Sequence, residues 1–345
     1  MSQPAWNWRL SDLASVPKHG RTVFSCFSCG GGSTMGYKLA GYTVLGNVEI
    51  DPQMMRIYRQ NHNPRYPFLM PIQDFKELPD AQLPSELFDL DILDGSPPCS
   101  VFSMSGDRED KWGGEHAFRE GQAVQRLDDL FFDFLDVADK LRPKVVIAEN
   151  VRGMMVGKAR GFVSLVLSRF RELGYKPQLF LLNSATMGVP QKRERLFFAA
   201  AREDLNLPSL RLNFNEPPVL YRDVRSGDGK PLNPAKETFR RWQRKRPADL
   251  SMGDVTEREK GKASDYNTII LKDQKVSNTL ASSSWFLRSD EPSRISDMDS
   301  IRIQTFPSDY DFMDADVSYV CGMSVPPLMM QRISEQIHMQ WLNTK

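Results

Sequence analysis

Short apolar runs alternate with amphipathic segments along the chain from Thr22 to Ala201. Runs of roughly four to eight apolar or β-branched residues are typical of buried strands. The predicted strands are Thr22–Phe27, Tyr42–Val48, Phe88–Leu93, Val145–Ala148, Leu179–Leu182 and Leu196–Ala200. Between the third and fourth strands, apolar residues from Leu127 to Leu141 recur every three or four positions, which predicts a helix with one apolar face. Strands that alternate with helices predict an α/β fold with a Rossmann-like, doubly wound, mostly parallel sheet.

Chemically useful side chains come directly after several of these strands. Gly30–Gly32 follow the first strand, Glu49 ends the second and Glu149 follows the fourth. Cys99 follows the third strand, after a stiff Pro97–Pro98 corner. In a doubly wound sheet, ligands bind outside the carboxyl ends of the strands, so we expect these groups to converge at one edge.

The glycine-rich turn predicts a site for a nucleoside cofactor. Its glycines allow a tight turn and a close approach to a ligand, and a helix predicted from Thr34 to Ala40 presents its first amides there. Glu49 comes 19 residues after Gly30, and an acid about 20 residues beyond such a turn typically binds ribose hydroxyls. The spacing is not G-x-G-x-x-G, which argues against a dinucleotide. A thiol, a carboxylate and a nucleoside site in one crevice indicate group transfer through a covalent intermediate.

Composition and charge restrict the class of protein without naming a partner. The chain has 345 residues, of which 40% are hydrophobic and 26% charged, as is ordinary for a globular protein with one large domain or two smaller ones. The net charge is +1, so a nucleic-acid ligand would require a local basic surface. No apolar run approaches a membrane span and residues 1–10 lack a signal-peptide pattern, so we expect a cytoplasmic protein with no membrane partner.

The cysteines do not form a disulfide framework, because there are too few of them for a chain of this length. They are Cys26, Cys29, Cys99 and Cys321. Cys26 and Cys29 form a C-x-x-C pair, but a zinc site would need a second pair, so we interpret both as packing residues and predict no metal site. Taken alone, Cys99 would be a small buried apolar residue, the commoner fate of a free cysteine. Its place at a stiff corner after a strand favours a nucleophile.

The alternating pattern ends at Arg202. Residues 205–285 are polar and rich in turn residues, and six lysines and arginines cluster between Lys236 and Arg246. For any one of these side chains, exposure on a solvated face is the simpler interpretation. As a group, the six side chains could bind phosphates. A last apolar helix is predicted from Pro327 to Trp341. The glycine-punctuated segment Ser100–Gly121 has no clear periodicity, and a stretch of that length is often a functional lid.

The order of several short strings resembles the DNA (cytosine-5)-methyltransferase family of bacteria and phages, over most of the chain. The strings are Phe27–Gly32, Gly95–Cys99, Glu149–Val151, Gln191–Arg195, Arg302–Pro307 and Gly322–Pro327. The resemblance implies a class I methyltransferase fold and S-adenosylmethionine as the methyl donor. It implies cofactor contacts from Phe27, Ser28, Gly31, Gly32, Glu49, Ile50, Asp74, Phe75, Pro97, Leu130, Ser324 and Val325. Within that set, Glu49 would bind the ribose and Asp74 the adenine.

The same resemblance implies catalytic roles for Cys99, Glu149, Arg193 and Arg195. The Cys99 thiolate would add to carbon 6 of cytosine and make carbon 5 nucleophilic. Glu149 would hold the base at N3 and N4, and Arg195 would contact its O2. Because carbon 5 cannot be reached in a stacked duplex, the cytosine would be flipped out and the segment Ser100–Gly121 would close over it.

The resemblance also implies a domain organisation and partners. Residues 1–204 would form the catalytic, cofactor-binding domain, residues 205–285 the target-recognition domain, and residues 286–345 would return to the catalytic domain. Double-stranded DNA would contact Ser100, Ser103, Arg240, Arg241, Arg244 and Lys245. We expect a monomer in the bacterial cytoplasm, encoded by a bacterium or a phage, with a cognate restriction endonuclease as a second candidate partner.

Four positions depart from the family pattern. Ser25 stands where relatives often carry Asp, and Cys29 replaces a glycine, which concerns cofactor binding. Ser100 replaces Gln and Met323 replaces Asn, which concerns loop closure and hydrogen bonding.

Three alternative functions fit parts of the sequence. An RNA (tRNA) cytosine-5 methyltransferase would share the fold, although the long segment 205–285 favours DNA. A catalytically silent DNA-binding relative is disfavoured by the intact Cys99, Glu149 and Arg195. A cysteine hydrolase would need a histidine partner for Cys99. The histidines, all outside the matched strings, are His19, His62, His116 and His338.

Overall fold

The computed structural model describes residues 4–98, 115–116, 125–126, 129–157, 159–262, 264, 267–283 and 285–343. Cys99, Ser100 and Ser103, and with them most of the predicted lid, lie outside these residues. Within the described ranges, no helix combines the length and the apolar character that a membrane span requires.

Strands and helices follow one another along most of the described chain. The strands are β1 (Thr22–Cys26), β2 (Thr43–Glu49), β3 (Tyr66–Leu69), β4 (Ile92–Gly95), β5 (Glu115–His116), β6 (Gln125–Arg126), β7 (Val145–Val151), β8 (Tyr175–Asn183), β9 (Gln191–Lys192), β10 (Glu194–Arg202), β11 (Lys230–Pro231), β12 (Thr268–Leu271), β13 (Ser277–Asn278), β14 (Trp285–Arg288) and β15 (Ser293–Arg294). The helices are α1 (Gly32–Leu39), α2 (Pro52–His62), α3 (Ile72–Glu77), α4 (Leu130–Leu141), α5 (Ala159–Glu172), α6 (Tyr221–Val224), α7 (Glu237–Arg244), α8 (Met252–Lys260), α9 (Asp297–Ile303), α10 (Val317–Met323) and α11 (Pro327–Ile337).

The main sheet has seven strands in the order β3-β2-β1-β4-β7-β10-β8. The five strands β3, β2, β1, β4 and β7 are parallel to one another. β10 is antiparallel to both of its neighbours, β7 and β8. The predicted α/β fold with a mostly parallel sheet is therefore confirmed.

The direction in which the chain adds strands reverses between β1 and β4. β2 and β3 lie on one side of β1, whereas β4 and β7 lie on the other. Loops that leave two such central strands diverge and open a crevice at their carboxyl ends. In this chain they are the glycine-rich loop after Cys26 and the proline corner after Gly95.

An aromatic cluster fixes α4 and α5 against the main sheet. The ring of Phe131 on α4 lies 5.1 Å from that of Phe198 on β10 and 6.3 Å from that of Phe162 on α5. All three rings are buried, and burial of each contributes about 1.5–3 kcal/mol to the stability of the fold. The sheet edge that carries the candidate site therefore rests on a rigid core.

The chain divides into two compact units, each assembled from three segments. The sheet unit consists of Leu13–Asn183, Glu194–Asn213 and Met330–Lys345, and the mixed unit of Met1–Asp12, Ser184–Arg193 and Phe214–Met329. These units do not test the functional boundaries predicted at residues 204 and 285, which stay predictions.

The mixed unit is built on a four-stranded sheet in the order β11-β15-β14-β12. Its apolar cluster consists of Leu232, Met252, Val255, Ile270 and Leu287, with Phe239 and Trp242 of α7 packed against it. A buried ion pair joins β14 to α9, because Nη2 of Arg288 lies 2.8 Å from Oδ2 of Asp299 and both side chains are fully buried. The hydroxyl of Tyr221 donates a hydrogen bond of 3.0 Å to the same carboxylate.

Several elements differ from the sequence-based prediction. β3, a strand of the main sheet, was not predicted, and β8 begins four residues before the predicted Leu179–Leu182. The strand predicted at Phe88–Leu93 is wrong in its first half, because Ser85–Asp89 forms a 3-10 turn and β4 begins at Ile92. Pro84 starts that turn, and Phe88 is 37% exposed while Leu87 and Leu90 are buried, a spacing that suits a turn and not a strand. The last helix ends at Ile337, and His338–Leu342 continue as a wider, π-helical turn.

Candidate active site

The loop after β1 turns sharply before α1 begins. Phe27, Cys29 and Gly31 have φ values of +56°, +45° and +79°, so the backbone enters the left-handed region three times. Gly31 is the N-cap of α1, and no side chain caps the first amides of that helix. A Cβ on Gly31 would lie 2.2 Å from Nε2 of His62, so only glycine fits between the loop and α2. The N-terminus of α1 therefore lies beside a backbone cradle from which side chains are excluded.

The carboxylate of Glu49 is held rigidly beside this loop. Its Oε2 accepts a hydrogen bond of 2.8 Å from the amide of Cys29, and its Oε1 accepts bonds of 2.9 and 3.0 Å from the amides of Ile50 and Asp51. Burial raises the pKa of Glu49, while these three amides oppose the shift. A carboxylate can accept about four hydrogen bonds, so a ribose hydroxyl can still donate to it.

The residues present fit an adenosine-bearing cofactor. The cradle at Gly31 would be filled by any Cβ, and the fixed acceptor at Glu49 matches the hydroxyl donors of a ribose. Asp74 lies in the first turn of α3, which follows β3, and its side chain is exposed. β1, β2 and β3 are neighbours in the sheet, so the glycine loop, Glu49 and Asp74 all follow the carboxyl ends of adjacent parallel strands.

The apolar members of the predicted cofactor set are core residues. Phe75 is fully buried and its ring stacks on that of Phe24, with centroids 5.6 Å apart. Leu130 begins α4 and is also fully buried, and Pro97 is buried. Contact of these side chains with a cofactor stays a prediction.

Two polar residues that support the glycine loop were missed by sequence reasoning. Nδ2 of Asn47, a fully buried residue within β2, donates a hydrogen bond of 2.8 Å to the hydroxyl of Ser28. Nε2 of His62 lies 3.3 Å from the carbonyl oxygen of Gly30, and burial, followed by the charge of Lys38, lowers the pKa of His62 to about 3. The sequence could have indicated a supporting role for Asn47, because a side-chain amide within an apolar strand is unusual. It contains no comparable signal for His62.

The proline corner after β4 is tied to the neighbouring strand. Nδ2 of Asn150 donates a hydrogen bond of 3.2 Å to the carbonyl oxygen of Pro97. A Cβ on Gly95 would lie 2.5 Å from the ring of Phe134, so the strand can enter the corner only with glycine at this position. These contacts fix the backbone from Gly95 to Pro97, and Cys99 follows two residues later in the sequence.

Glu149 and Arg195 form an ion pair on neighbouring strands. Nε of Arg195 lies 2.9 Å from Oε1 of Glu149, and the side chains are 14% and 11% exposed. Glu149 pairs with Phe197 in the register of β7 and β10, so Arg195, two residues away, lies on the same face of the sheet. Burial lowers the pKa of Arg195, and the charge of Glu149 opposes that shift. A carboxylate and a guanidinium with little water around them can recognise both donors and acceptors of a ligand.

A second buried carboxyl, which sequence reasoning also missed, lies at the end of β4. Oδ2 of Asp94 accepts a hydrogen bond of 2.8 Å from the hydroxyl of Ser25, and Oδ1 accepts one of 3.2 Å from the hydroxyl of Tyr37. Asp94 is 2% exposed, and its burial raises its pKa to about 7, with a further raising effect from the charge of Glu149. Ser25 and Asp94 are partners in the register of β1 and β4. The buried hydroxyl of Ser25 therefore has a hydrogen-bond acceptor inside the sheet.

Arg193, Ser324 and Val325 are buried within the mixed unit. The guanidinium of Arg193 donates hydrogen bonds of 2.9 and 3.1 Å to the carbonyl oxygens of Leu280 and Gly322. The hydroxyl of Ser324 donates one of 2.8 Å to the carbonyl oxygen of Val320. These bonds stabilise the mixed unit, and the predicted catalytic and cofactor roles of the three residues stay predictions.

The predicted phosphate-binding residues lie on α7 and just beyond it. Arg240, Arg241 and Arg244 each have a guanidinium nitrogen within 3.9 Å of Glu237. Nζ of Lys245 lies 3.4 Å from the ring centroid of Trp242. Their contact with DNA stays a prediction, as do the contacts of Ser100 and Ser103.

The C-x-x-C pair occupies the core side of the glycine loop. Cys26 is buried, and burial raises the pKa of its thiol. Sγ of Cys29 lies 3.7 Å from Sδ of Met54. Among the described residues, no group of three or more His, Cys, Asp or Glu side chains is arranged to hold a metal ion.

Comparisons with known proteins place the sequence in a family. The sequence model of the family described as C-5 cytosine-specific DNA methylase matches residues 21–339. The type II methyltransferase M.AplI of Arthrospira platensis is 26% identical over 337 residues, which cover 92% of this chain and 85% of the relative. The type II methyltransferase M.FnuDI of Fusobacterium nucleatum is 29% identical over 189 residues, 54% of this chain.

The matched part of this chain spans about half the length of several relatives, such as 48% of M.FnuDI. Among solved structures, a candidate DNA modification methyltransferase encoded within a prophage (E. coli) has a TM-score of 0.67 at 18% identity. That likeness covers 94% of this chain and 100% of the other and supports the fold.

Proposed function

Because the chain belongs to the C-5 cytosine-specific DNA methylase family, we propose that it transfers a methyl group from S-adenosylmethionine to carbon 5 of a cytosine in a short sequence of double-stranded DNA. The observation that carries the proposal is the Glu149–Arg195 ion pair at the carboxyl edge of the sheet. Asn150, the next residue, binds Pro97, so this pair and the corner that leads to Cys99 are parts of one hydrogen-bonded arrangement.

Carbon 5 of cytosine is a weak nucleophile, and a cysteine and a glutamate together can make it more nucleophilic. In the proposed reaction, the Cys99 thiolate forms a bond to carbon 6 while Glu149 holds a proton at N3. Electron density would then reach carbon 5, which would bond to the methyl carbon while the bond from that carbon to the sulfonium sulfur breaks and the neutral thioether leaves. A base would then take the proton from carbon 5, the freed electron pair would form the double bond between carbons 5 and 6, and the Cys99 thiolate would leave while the proton on N3 returns to Glu149.

Arg195 positions Glu149 and contacts the base. Its Nε holds one carboxylate oxygen at 2.9 Å, which leaves the second oxygen for the exocyclic amine of the cytosine. Its Nη1 donates a hydrogen bond of 2.8 Å to the carbonyl oxygen of Glu194, which fixes the plane of the guanidinium. Since both side chains are largely buried, their interactions with a bound base are stronger than they would be in water.

S-adenosylmethionine would supply an electrophilic methyl group. Glu49 would accept hydrogen bonds from its ribose, Asp74 would accept one from its adenine, and the N-terminus of α1 would lie beside the loop Phe27–Gly32 that holds its remaining part. The apolar residues Phe75 and Leu130 would exclude water from that site.

The test is bisulfite sequencing of plasmid DNA from a bacterial host that lacks its own cytosine methylation. Expression of the wild type should protect cytosines in one short sequence context, and Cys99→Ser should abolish that protection. Cys321→Ala is the matched control, because it removes a buried thiol that the proposal does not use, and it should retain protection.

Two results would contradict the proposal. One is unprotected DNA in the presence of folded wild-type protein. The other is equal protection by the wild type and Cys99→Ser. Bisulfite sequencing of RNA from the same cells identifies RNA methylation, if protection appears there and is absent from DNA.

The finer features of the proposal are a monomer that acts in the bacterial cytoplasm and a cognate restriction endonuclease that cuts the same sequence. Light scattering of the purified protein, with and without a duplex, tests the monomer. Digestion of protected and unprotected plasmid with extract of the source cells tests the endonuclease, which should cut only the unprotected plasmid.

A further inference from the structure

The mixed unit contains an open cavity of about 360 Å³ at one end of its sheet. It is lined by Glu237, Thr238, Arg241, Met252, Thr268 and Trp285. Thr268 and Trp285 are register partners at the start of the parallel strands β12 and β14, so their side chains leave the same face of the sheet. The cavity therefore combines an aromatic wall with hydroxyl, carboxylate and guanidinium groups.

Trp285 is a rigid and accessible aromatic wall. Its side chain is 50% exposed, although tryptophan is normally among the most buried residues. The guanidinium carbon of Arg294 lies 4.0 Å from its ring centroid, a contact that holds the ring in one orientation. A half-exposed aromatic ring fixed in this way is typical of residues that bind a partner.

The helix above the cavity has an excess of positive charge. Arg240 and Arg244 are 63% and 52% exposed, and both approach the carboxylate of Glu237. Arg241, 15% exposed, lies 3.3 Å from the same carboxylate. α7 itself carries three arginines and one glutamate, and Arg244 also pairs with Glu259 of α8 at 2.8 Å. The exposed guanidinium groups of this helix can attract phosphates.

We propose that this cavity receives a nucleobase of the DNA target that has left the base stack, with Trp285 against the face of the base and Thr268 and Arg241 at its edge. The inference deepens the proposed function and rests on it. The cavity lies at the lower end of the size range of small-molecule sites, so it suits one planar ring. The aromatic face accepts any base, whereas the hydroxyl and the guanidinium distinguish bases by their donors and acceptors.

The experiment compares the wild type with Trp285→Ala, Trp285→Phe and Thr268→Val. Leu250→Ala is the matched control, because Leu250 is 53% exposed in the same unit and does not line the cavity. Fluorescence anisotropy measures the affinity of each variant for an unmethylated duplex that contains the DNA sequence recognised by the wild type. Bisulfite sequencing shows in which DNA sequences each variant methylates cytosine. Thermal melting and calorimetric titration with S-adenosylmethionine show whether each variant is folded and binds the cofactor.

Trp285→Ala should weaken duplex binding about ten-fold to a hundred-fold, whereas Trp285→Phe and Leu250→Ala should remain within about three-fold of the wild type. Thr268→Val should relax the preference for one base pair of the context with little change in melting temperature. Wild-type affinity and an unchanged context in both Trp285→Ala and Thr268→Val would overturn the inference while leaving the methylation reaction intact. A wild type that neither binds nor methylates duplex DNA would overturn the proposed function and, with it, this inference.

Discussion

The protonation of Asp94 should make the stability of the protein depend on pH. Asp94 is 2% exposed and lies on β4, where the hydroxyls of Ser25 and Tyr37 donate to its two oxygens. Burial raises its pKa from 3.8 to about 7, against the lowering effect of these hydrogen bonds. The protonated form is therefore favoured in the folded protein, and ionisation is unfavourable.

The size of the effect follows from the two pKa values. The interval from 3.8 to about 7 corresponds to about 4 kcal/mol at 1.36 kcal/mol per pH unit. Because the pKa of the folded state is the higher one, the stabilisation is complete below about pH 4 and is lost as the pH rises to about 7. The free energy of unfolding of the wild type should therefore fall across this range.

The variant Asp94→Asn isolates this contribution, because an amide keeps an acceptor oxygen and cannot ionise. Urea unfolding of both proteins gives the difference in unfolding free energy at each pH, in which the contributions of all other groups largely cancel. The stability of Asp94→Asn relative to the wild type should increase by about 3 kcal/mol between about pH 5 and pH 8.

A substitution of an exposed aspartate provides the control. Asp89→Asn, in the 3-10 turn before β4, should change stability by less than about 0.5 kcal/mol at every pH. A difference between Asp94→Asn and the wild type that stays constant from pH 5 to pH 8 would refute the reasoning. It would mean that the buried carboxyl ionises in the folded protein as readily as in the unfolded one.

Three further substitutions test separate parts of the structure. Gly31→Ala places a Cβ at φ +79° and 2.2 Å from His62. It should lower the free energy of unfolding by more than the cost of a left-handed residue, about 1–2 kcal/mol. It should also weaken S-adenosylmethionine binding at least about ten-fold, as measured by calorimetric titration. Asp299→Ala removes the buried carboxylate partner of Arg288 and leaves the partly exposed Glu291 as its remaining described one, so it should cost about 3–5 kcal/mol in urea unfolding. Glu149→Gln should lower the rate of methyl transfer about 10²-fold to 10⁴-fold in a radiolabel assay while cofactor affinity is unchanged, and a loss of affinity instead would contradict its assignment to the base.

The sheet edge was predictable because its parts are set by local patterns. Apolar runs that alternate with helices predict parallel strands, and parallel strands bring Glu49 and Glu149 to one edge whatever their exact bounds. The error at Phe88 arose from the same reasoning, because a short apolar run can belong to a strand or to a turn, and Pro84 decided for the turn.

The supporting residues were not predictable, because strand register and helix packing are non-local. Ser25 meets Asp94, and Asn47 meets Ser28, only after residues far apart in sequence have been aligned. Glycine at position 31 was expected to make room for a ligand, and the structure adds a second requirement, the ring of His62.

Arg193 illustrates the limit of a short string. It stands two residues before Arg195 in the sequence, yet its guanidinium donates to the carbonyl oxygens of Leu280 and Gly322, whereas that of Arg195 pairs with Glu149. The sequence Gln191–Arg195 alone does not show which arginine binds main-chain carbonyl oxygens and which pairs with a carboxylate.

The most direct test of the central claim is to trap the covalent bond between Cys99 and cytosine. The duplex would carry 5-fluorocytosine at the methylated position, so that no proton can leave carbon 5 after methyl transfer and the bond to carbon 6 cannot break. With S-adenosylmethionine present, the wild type should form a complex that survives denaturing electrophoresis, and Cys99→Ser should form none. A wild type that methylates the ordinary duplex without giving this complex, or an equal complex with Cys99→Ser, would contradict the account.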